Sequence, residues 1–214
     1  PPTCEYGHEE FSSAAVRMAD YRALPGSPDG CYGNKIYNNK ISITANDYPD
    51  DKRYTPMAWA IYYSASAGDN DVFGNDITVE KPVLSSKAIT AAFYICGGIN
   101  GFGGRFYDNR VTTNVPAAWI ASFYGGAVNK KISGNTIIKS STADAGFRPF
   151  RMGSLDSKEC IAKNVEFRSN EIKGAKFELK ATDQDHSYSV YWTLNVKVSD
   201  AKKSPVKYTE ITIR

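Results

Sequence analysis

The sequence predicts an all-β fold: a solenoid of parallel strands with about five coils, followed by a C-terminal β-hairpin. A six-residue pattern that contains Asn recurs five times along the chain, and a second apolar strand precedes each copy. One copy cannot bury its own apolar side chains, whereas stacked copies can. The recurrence of both elements therefore favours a stacked solenoid over other all-β folds.

The first repeated element is a short strand, a bend and a second strand. The residue before each Asn is Asn, Gly, Asp or Ser, and these types adopt turn or left-handed backbone at little cost. The residue two places after each Asn is Ile or Val, which suits a strand interior. Stacked strands lie about 4.8 Å apart, so side chains at matching bends can form a hydrogen-bonded ladder. The copies occupy residues 36–41, 72–77, 106–111, 132–137 and 167–172. The predicted ladder residues are Asn39, Asn75, Asn109, Asn135 and Asn170.

The second repeated element is a strand upstream of each Asn pattern. It is predicted at residues 16–18, 61–63, 92–94, 122–124 and 150–152. Small residues, mostly Ala, often precede it. These copies support the solenoid independently of the Asn pattern. The alternative is a β-sandwich of antiparallel hairpins, for which tighter strand spacing with hairpin turns would be expected.

The Asn copies resemble the coil repeats of the right-handed parallel β-helix family, the pectate-lyase-like superfold. The resemblance extends from residue 1 to about residue 180 and implies a right-handed solenoid whose longer coils carry protruding loops. In family members that cleave polysaccharides, it further implies either a calcium-binding carboxylate cluster with an Arg or Lys base, or two to three close Asp residues.

The repeat ends at Ile172, and the period then changes. Residues 191–199 alternate polar and apolar side chains, residues 200–205 form a predicted turn, and residues 206–213 form a second strand. We expect residues 1–183 to form the parallel β-helix and residues 184–214 a C-terminal β-hairpin. The segment from Val196 to Val206 resembles the start of a carboxypeptidase-regulatory-like β-sandwich module, while its other interpretation is a cap on the last coil. The chain also begins in mid-coil, so we expect it to be a portion of a longer protein.

Composition and charge narrow the classes of partner. Charged residues make up 23% of the chain and apolar residues 42%, as in an ordinary folded protein. The net charge is +3 and the basic residues are scattered, which disfavours nucleic-acid binding. No apolar run is long enough for membrane insertion. With only His8 and His186 and no Cys-x-x-Cys, neither a metal site nor a cofactor is predicted.

The four cysteines indicate two disulfides and therefore a secreted or cell-surface protein. Cys4 with Cys31 would join adjacent coils, which leaves Cys96 with Cys160. The alternative is four buried thiols.

One face of the second repeated strand is predicted to point outward. Arginines do not belong in an apolar core, so they define the outer side. With strict alternation along each strand, a row of aromatic residues shares that side. Such rows can bind sugar rings, and flanking arginines suit an acidic polysaccharide; alternatively, the row is a floor beneath loops. The predicted row contains Arg17, Tyr62, Phe93, Phe123 and Arg151, and a shorter row beside the Asn bend contains Tyr37, Phe73 and Tyr107.

Catalytic residues are not evident in the sequence. Acidic clusters at residues 47–51 and 69–71 lie in predicted loops. The nearest approach to a lyase site is Arg105, Asp108 and Arg110, although Asp108 occupies a turn position. We therefore predict a non-catalytic structural or recognition segment of a larger secreted or cell-surface protein, with glycans as the candidate ligand for recognition. Its partners would be a polysaccharide, other copies, or neighbouring modules. The alternatives are a polysaccharide lyase or glycoside hydrolase and a self-assembling surface or filament component.

Overall fold

A computed structural model describes residues 12–19, 31–46, 56–64, 68–86, 88–96, 103–121, 126–154 and 160–192. These residues form β-strands, turns and bends without any helix, and thus without a helical segment able to cross a membrane. Every strand pairing among them is parallel. The described part is therefore an all-β structure built from parallel sheets.

Three sheets contain most of the strands. Sheet 1 has the spatial order β1 (Ser12–Met18), β4 (Met57–Tyr63), β7 (Ile89–Ile95), β10 (Ala118–Ile120), β14 (Phe150–Met152) and β18 (Leu179–Ala181). Sheet 2 has the order β2 (Lys35–Tyr37), β5 (Asp71–Phe73), β8 (Arg105–Tyr107), β12 (Lys131–Ser133), β16 (Val165–Arg168) and β19 (Tyr188–Tyr191). Sheet 3 has the order β3 (Lys40–Thr44), β6 (Asp76–Glu80), β9 (Arg110–Thr113), β13 (Thr136–Lys139) and β17 (Glu171–Lys173). A two-stranded sheet pairs β11 (Ala127–Val128) with β15 (Ala162–Lys163).

The chain visits the three sheets in a fixed rotation. It passes from sheet 1 to sheet 2 and then to sheet 3, as in β4, β5 and β6, and returns to sheet 1 with β7. Each strand pairs with the strand from the next rotation, here called the next coil. This arrangement is consistent with a parallel β-solenoid.

The bend between sheets 2 and 3 contains the Asn ladder. The Oδ1 atom of Asn109 accepts hydrogen bonds from the backbone N and the Nδ2 of Asn75, at 3.1 and 2.8 Å. Asn109 in turn donates to Oδ1 of Asn135, at 3.0 and 2.9 Å. The same two bonds join Asn39 to Asn75 and Asn135 to Asn170. The residue before each of these Asn residues has a positive φ, between 51° and 63°.

A second bend precedes five of the six strands of sheet 2, all but β19, and has the same left-handed backbone. It lies five residues before the first bend in each of these five coils. Its φ values lie between 48° and 68°. The repeat pattern does not predict this bend, although its residue types are those that tolerate this conformation. The residues at the second bend are Gly33, Asp69, Gly103, Asn129 and Asn164.

At the first bend, glycines alternate from coil to coil with residues that carry a side chain, and at the second bend they do so through the first four coils. A Cβ on Gly74 would lie 2.7 Å from Oδ1 of Asn38 in the preceding coil. A Cβ on Gly103 would overlap Oδ1 of Asp69 in the same way, so each glycine leaves room for the side chain stacked above it. Because of this packing, the residue type that fits at a bend depends on the residue at the same bend of the neighbouring coil.

The interior of the solenoid is filled from all three sheets. Val72 and Phe106 of sheet 2 and Ile77 and Val111 of sheet 3 have no exposed surface. They share one apolar cluster with Ile61 of sheet 1. The Ile and Val residues two places after each ladder Asn thus supply the core from sheet 3.

The central strands of sheet 1, β4, β7 and β10, are buried on both sides, and this corrects the predicted register. Phe93 pairs with Ile61 and packs inside against Phe106, so its predicted outward placement is wrong. The residue level with Tyr62 is Tyr94, and the sheet 1 strand of the following coil is β10 rather than residues 122–124. Phe123 lies outside the described residues.

The outer side of sheet 1 is an aromatic stack with an arginine at each end. Tyr62 and Tyr94 stack at 4.7 Å, and Trp119 is level with Tyr94 in the next strand. Arg17 lies over the ring of Tyr62 at 4.7 Å and Arg151 over Trp119 at 3.8 Å. Tyr62 is only 2% exposed and belongs to a second apolar cluster, separate from the interior one. The row therefore matches the interpretation as a covered floor better than an open ligand platform.

At the C-terminal end, the described residues continue the parallel sheets. Tyr188–Tyr191 pairs in parallel with Val165–Arg168. Residues 193–214, which include most of the predicted hairpin, lie outside the described part.

Candidate functional site

The outer face of sheet 2 carries the shorter aromatic row. Because Val72 and Phe106 point into the core, the residues on either side of each point outward. Tyr37 and Phe73 have ring centroids 5.1 Å apart, and Phe73 and Tyr107 are 4.9 Å apart. Their ring planes differ by only 6° and 5°. The three rings therefore form a regular stack along the solenoid.

This stack presents ring edges rather than ring faces to solvent. Parallel rings about 5 Å apart occupy one another's faces, so a sugar cannot lie flat on Phe73. Each end ring, Tyr37 and Tyr107, has one face that no other ring of the row covers, and the Arg105 guanidinium lies 6.0 Å from the centroid of the Tyr107 ring. Ring edges carry partial positive charge, and the two tyrosines add hydroxyl groups. The row is therefore better suited to bind anionic or hydrogen-bonding groups of a ligand than a flat apolar surface of a ligand.

A charged row runs beside the aromatic stack on the same face. Arg105 donates two hydrogen bonds to the carboxylate of Asp71 in the preceding coil, from Nε at 2.6 Å and from Nη2 at 2.7 Å. The bond to Asp71 raises the pKa of the Arg105 guanidinium above its ordinary value. Lys131 follows Arg105 in the next coil and is exposed. This pairing neutralises Asp71, and Lys131 is level with Arg105 on one side and with Glu166 on the other.

A cleft of about 280 Å³ opens at the second bend. Two of its lining residues are glycines whose backbone cannot accept a side chain. A Cβ on Gly104 would lie 2.7 Å from the hydroxyl of Tyr63, and one on Gly103 would overlap Asp69. The charged groups of the lining are Lys131, Asp69 and Arg105, and Arg105 is already paired with Asp71. The lining residues are Asp69, Gly103, Gly104, Arg105, Asn129 and Lys131.

A buried lysine supports the floor of this cleft. Lys130 has no exposed surface, and its Nζ donates to the carbonyl oxygen of Gly103. The ammonium lies 4.5 Å from the centroid of the Tyr63 ring. Burial lowers the pKa of Lys130 from 10.5 to about 7, and burial raises the pKa of Tyr63. Because Lys130 is enclosed, it positions the Gly103 carbonyl instead of contacting a ligand in the cleft.

The residues of this cleft were only partly identified from the sequence. Arg105 was considered as part of a lyase site, whereas Lys130 and Asn129 were not considered. Asp108 has a φ of 54° and sits in the bend, as expected for a turn residue, and is not among the cleft-lining residues. A signal for Lys130 existed: it lies two residues before the buried Ile132 and so shares its inward side, where a charge is unusual.

His186 and Thr182 form a second polar cluster, which does not fit a catalytic pair. The backbone N–H of Ala162 donates to Nδ1 of His186 at 3.0 Å. The neutral ring must then carry its proton on Nε2, which lies 2.9 Å from Oγ1 of Thr182. In this state the ring donates to the hydroxyl and has no lone pair with which to remove its proton.

The cysteines do not support the predicted disulfides. Cys31, Cys96 and Cys160 are described, and no disulfide joins any two of them. Cys96 and Cys160 are both buried, which agrees with the alternative of buried thiols at these positions. Cys4 lies outside the described residues.

Comparison of the chain with protein-family models, with curated proteins and with solved structures finds no match.

Proposed function

We propose that this chain is a non-catalytic recognition segment of a secreted or cell-surface protein, and that the outer face of sheet 2 binds an acidic polysaccharide. The proposal includes a right-handed solenoid of about five coils with a C-terminal hairpin. The observation that carries the binding proposal is the cleft at the second bend, to whose lining Lys131 and Arg105 contribute. These two residues are level with one another on neighbouring strands of sheet 2, and Tyr107 lies on the same side of its strand as Arg105.

An acidic ligand fits this face better than a neutral one. Carboxylate or sulfate groups can accept charge-assisted hydrogen bonds from Lys131 and Arg105. The ring edges and phenol groups of the stack do not repel an anionic group. A neutral sugar, in contrast, would have to stack on an open ring face. The strand spacing holds these groups at fixed intervals, so little conformational entropy is lost on binding.

Binding can be measured by calorimetry with an acidic polysaccharide and with a neutral polysaccharide of similar length. We expect only the acidic polymer to bind, with an affinity that falls as salt increases. Lys131→Ala should weaken binding about tenfold, equivalent to ~1.4 kcal/mol. Lys40→Ala, which removes an exposed lysine on sheet 3, is the matched control and should bind normally. Equal binding of both polymers, or equal loss in both variants, contradicts the proposal.

The same samples test the enzymatic alternative. If the chain were a lyase or a hydrolase, prolonged incubation would shorten the polymer, and size-exclusion chromatography would detect this. We expect the polymer length to remain constant.

A further inference from the structure

The aromatic row on the outer face of sheet 2 is interrupted in one coil. Tyr37, Phe73 and Tyr107 stack at intervals of 5.1 and 4.9 Å, and the next strand carries Ser133 in the same register. The strand after that carries Arg168 level with Ser133. Because a serine side chain is much shorter than its neighbours on either side, the row has a gap one residue wide. We call this gap the Ser133 slot.

Beyond the slot, the row resumes as a second stack. The Arg168 guanidinium lies 4.6 Å from the ring centroid of Tyr191, which is level with it on β19. The groups on both sides of Ser133 therefore follow the same coil spacing. Two strand spacings, or about 9.6 Å, separate Tyr107 from Arg168, so a group centred over Ser133 would lie about 4.8 Å from each wall.

The slot is accessible to solvent, and one of its walls is a ring face. Arg168 is exposed, and Tyr107 is partly exposed. Phe73 covers the face of the Tyr107 ring that is directed to the preceding coil. The Arg105 guanidinium is also drawn to the preceding coil, by its two hydrogen bonds to a carboxylate there. The other face of the Tyr107 ring is therefore directed into the slot.

The spacing of the slot matches one aromatic ring. Aromatic rings pair at centroid distances of about 4.5–7 Å, and an arginine attracts a ring within about 6 Å. A ring over Ser133 meets both conditions at once. A saturated ring can contact the same walls, but it offers no π face to the Arg168 guanidinium.

The charges around the slot favour a ring without a charge of its own. Arg168 and Lys131 are cations, whereas Asp108 and Glu166 are carboxylates. Glu166 is level with Lys131, and Oδ1 of Asp108 occupies the space that a Cβ on Gly134 would take. An electron-rich ring gains from the arginine through cation–π attraction. A phenol has such a ring, and its hydroxyl can hydrogen-bond to the polar groups around the slot.

We propose that the Ser133 slot binds an uncharged aromatic ring of the phenol class, held between the Tyr107 ring and the Arg168 guanidinium. The ring takes the place in the row that an aromatic side chain takes in the neighbouring coils. This site is independent of the proposed polysaccharide binding, because it requires neither Lys131 nor the cleft at the second bend.

The probe for this site is p-cresol, which has the ring of a tyrosine side chain and no charge. Its saturated counterpart, 4-methylcyclohexanol, carries the same two substituents. In NMR titrations we expect p-cresol to shift the backbone amides of Ser133 and Gly134 through its ring current. It should bind about tenfold more tightly than 4-methylcyclohexanol, because only the aromatic ring pairs with both walls.

Filling the slot provides the decisive variant. Ser133→Tyr places an aromatic side chain in the gap, so it should abolish p-cresol binding and raise the melting temperature by completing the row. Ser42→Tyr, at an exposed serine on sheet 3, is the matched control and should bind p-cresol as wild type does. Arg168→Ala removes one wall at an exposed position and should weaken binding about tenfold. It tests the site even if the Ser133→Tyr protein does not fold.

A comparison with N-acetyltyrosinamide distinguishes the source of the ring, because this compound presents the ring of p-cresol on a peptide unit. Equal affinity for the two compounds shows that the ring alone is recognised, as in a small phenolic molecule. Tighter binding of N-acetyltyrosinamide assigns the ring to a tyrosine of a partner chain.

Three results would overturn the proposal. The first is no binding of p-cresol, and the second is equal binding of p-cresol and 4-methylcyclohexanol. The third is undiminished binding of p-cresol to folded Ser133→Tyr, which would place the ring elsewhere. None of these outcomes depends on whether the acidic polysaccharide binds.

Discussion

At the residue scale, the side chain of each inner ladder Asn serves both as a hydrogen-bond acceptor and as a hydrogen-bond donor. Each inner Asn accepts two hydrogen bonds through Oδ1, and its Nδ2 donates both along and across the coils. For Asn109 the additional acceptors are the carbonyl oxygens of Val72 and Tyr107. These groups are buried, so a missing partner leaves them unsatisfied. This explains why only Asn occurs at the position in five coils.

Asn109→Ala should lower the free energy of unfolding by about 3 kcal/mol, because buried donors of Asn75 lose their acceptor. Asn39→Ala is the matched control, since Asn39 is exposed at the end of the described ladder. This substitution removes the side-chain hydrogen bond from Asn39 to Asn75 and keeps the backbone one. We expect a loss of about 1 kcal/mol or less there. Urea unfolding of both variants tests this, and equal losses would show that the inner ladder contributes no more than its end.

Lys130 should make stability depend on pH. Its pKa is about 7 in the folded protein and 10.5 ordinarily, so between these values the unfolded chain binds more protons than the folded one. Stability conferred by the neutral amine is therefore greatest above the ordinary pKa and is lost as the pH falls towards 7. Lys130→Met keeps a similar volume without the titration. The difference in unfolding free energy, wild type minus Lys130→Met, should rise from about pH 7 to about pH 9. A flat difference would show that Lys130 remains charged when folded.

At the scale of the element, the two bends shape each coil. The left-handed residues lie five positions apart, so five of the six strands of sheet 2, all but β19, are held between two bends and stay short. Glycine is required where the neighbouring coil approaches closely, as Tyr63 approaches Gly104. A glycine at the same bend without such a neighbour needs only the backbone freedom, as at Gly33. The cost of the left-handed backbone and the cost of the close contact can therefore be measured separately.

Gly33→Ala should cost about 1–2 kcal/mol, because its φ of 67° strains an alanine and no atom lies within 4 Å of the new Cβ. Gly104→Ala should cost about 1–3 kcal/mol more, because the Cβ also meets the buried hydroxyl and ring of Tyr63. Chemical denaturation of both variants measures the two terms. If Gly104→Ala were no worse than Gly33→Ala, the ring of Tyr63 would have to move easily.

At the scale of the whole molecule, sheet 1 separates two apolar clusters. The interior cluster is shared by all three sheets, and the outer cluster contains Trp59, Tyr94 and Trp119. Sheets 2 and 3 instead carry charged and polar residues on their outer sides. Recognition is therefore expected on sheets 2 and 3, while sheet 1 contributes stability on both of its sides.

Phe93→Ala should lower the free energy of unfolding by about 3–5 kcal/mol, through lost burial and a cavity beside Phe106. The folded fraction should bind acidic polysaccharide as tightly as wild type, since Phe93 does not lie on the proposed face. A melting curve and calorimetry on the same sample test both parts. Normal stability combined with lost polysaccharide binding would indicate that the Phe93 side chain lies on the outer side of sheet 1.

The sequence by itself determined the repeat, the ladder bend and the inward side of sheet 3. At those places a single physical requirement selects the residue: a left-handed φ, a ladder hydrogen bond, or burial on one side only. Tertiary structure alone decided the register of sheet 1 and the cleft at the second bend. Because sheet 1 is buried on both sides, Phe93 and Tyr94 are both apolar enough for either side, and alternation cannot distinguish them. The cleft joins residues from separate coils, so its position depends on how the coils stack and not on any local pattern.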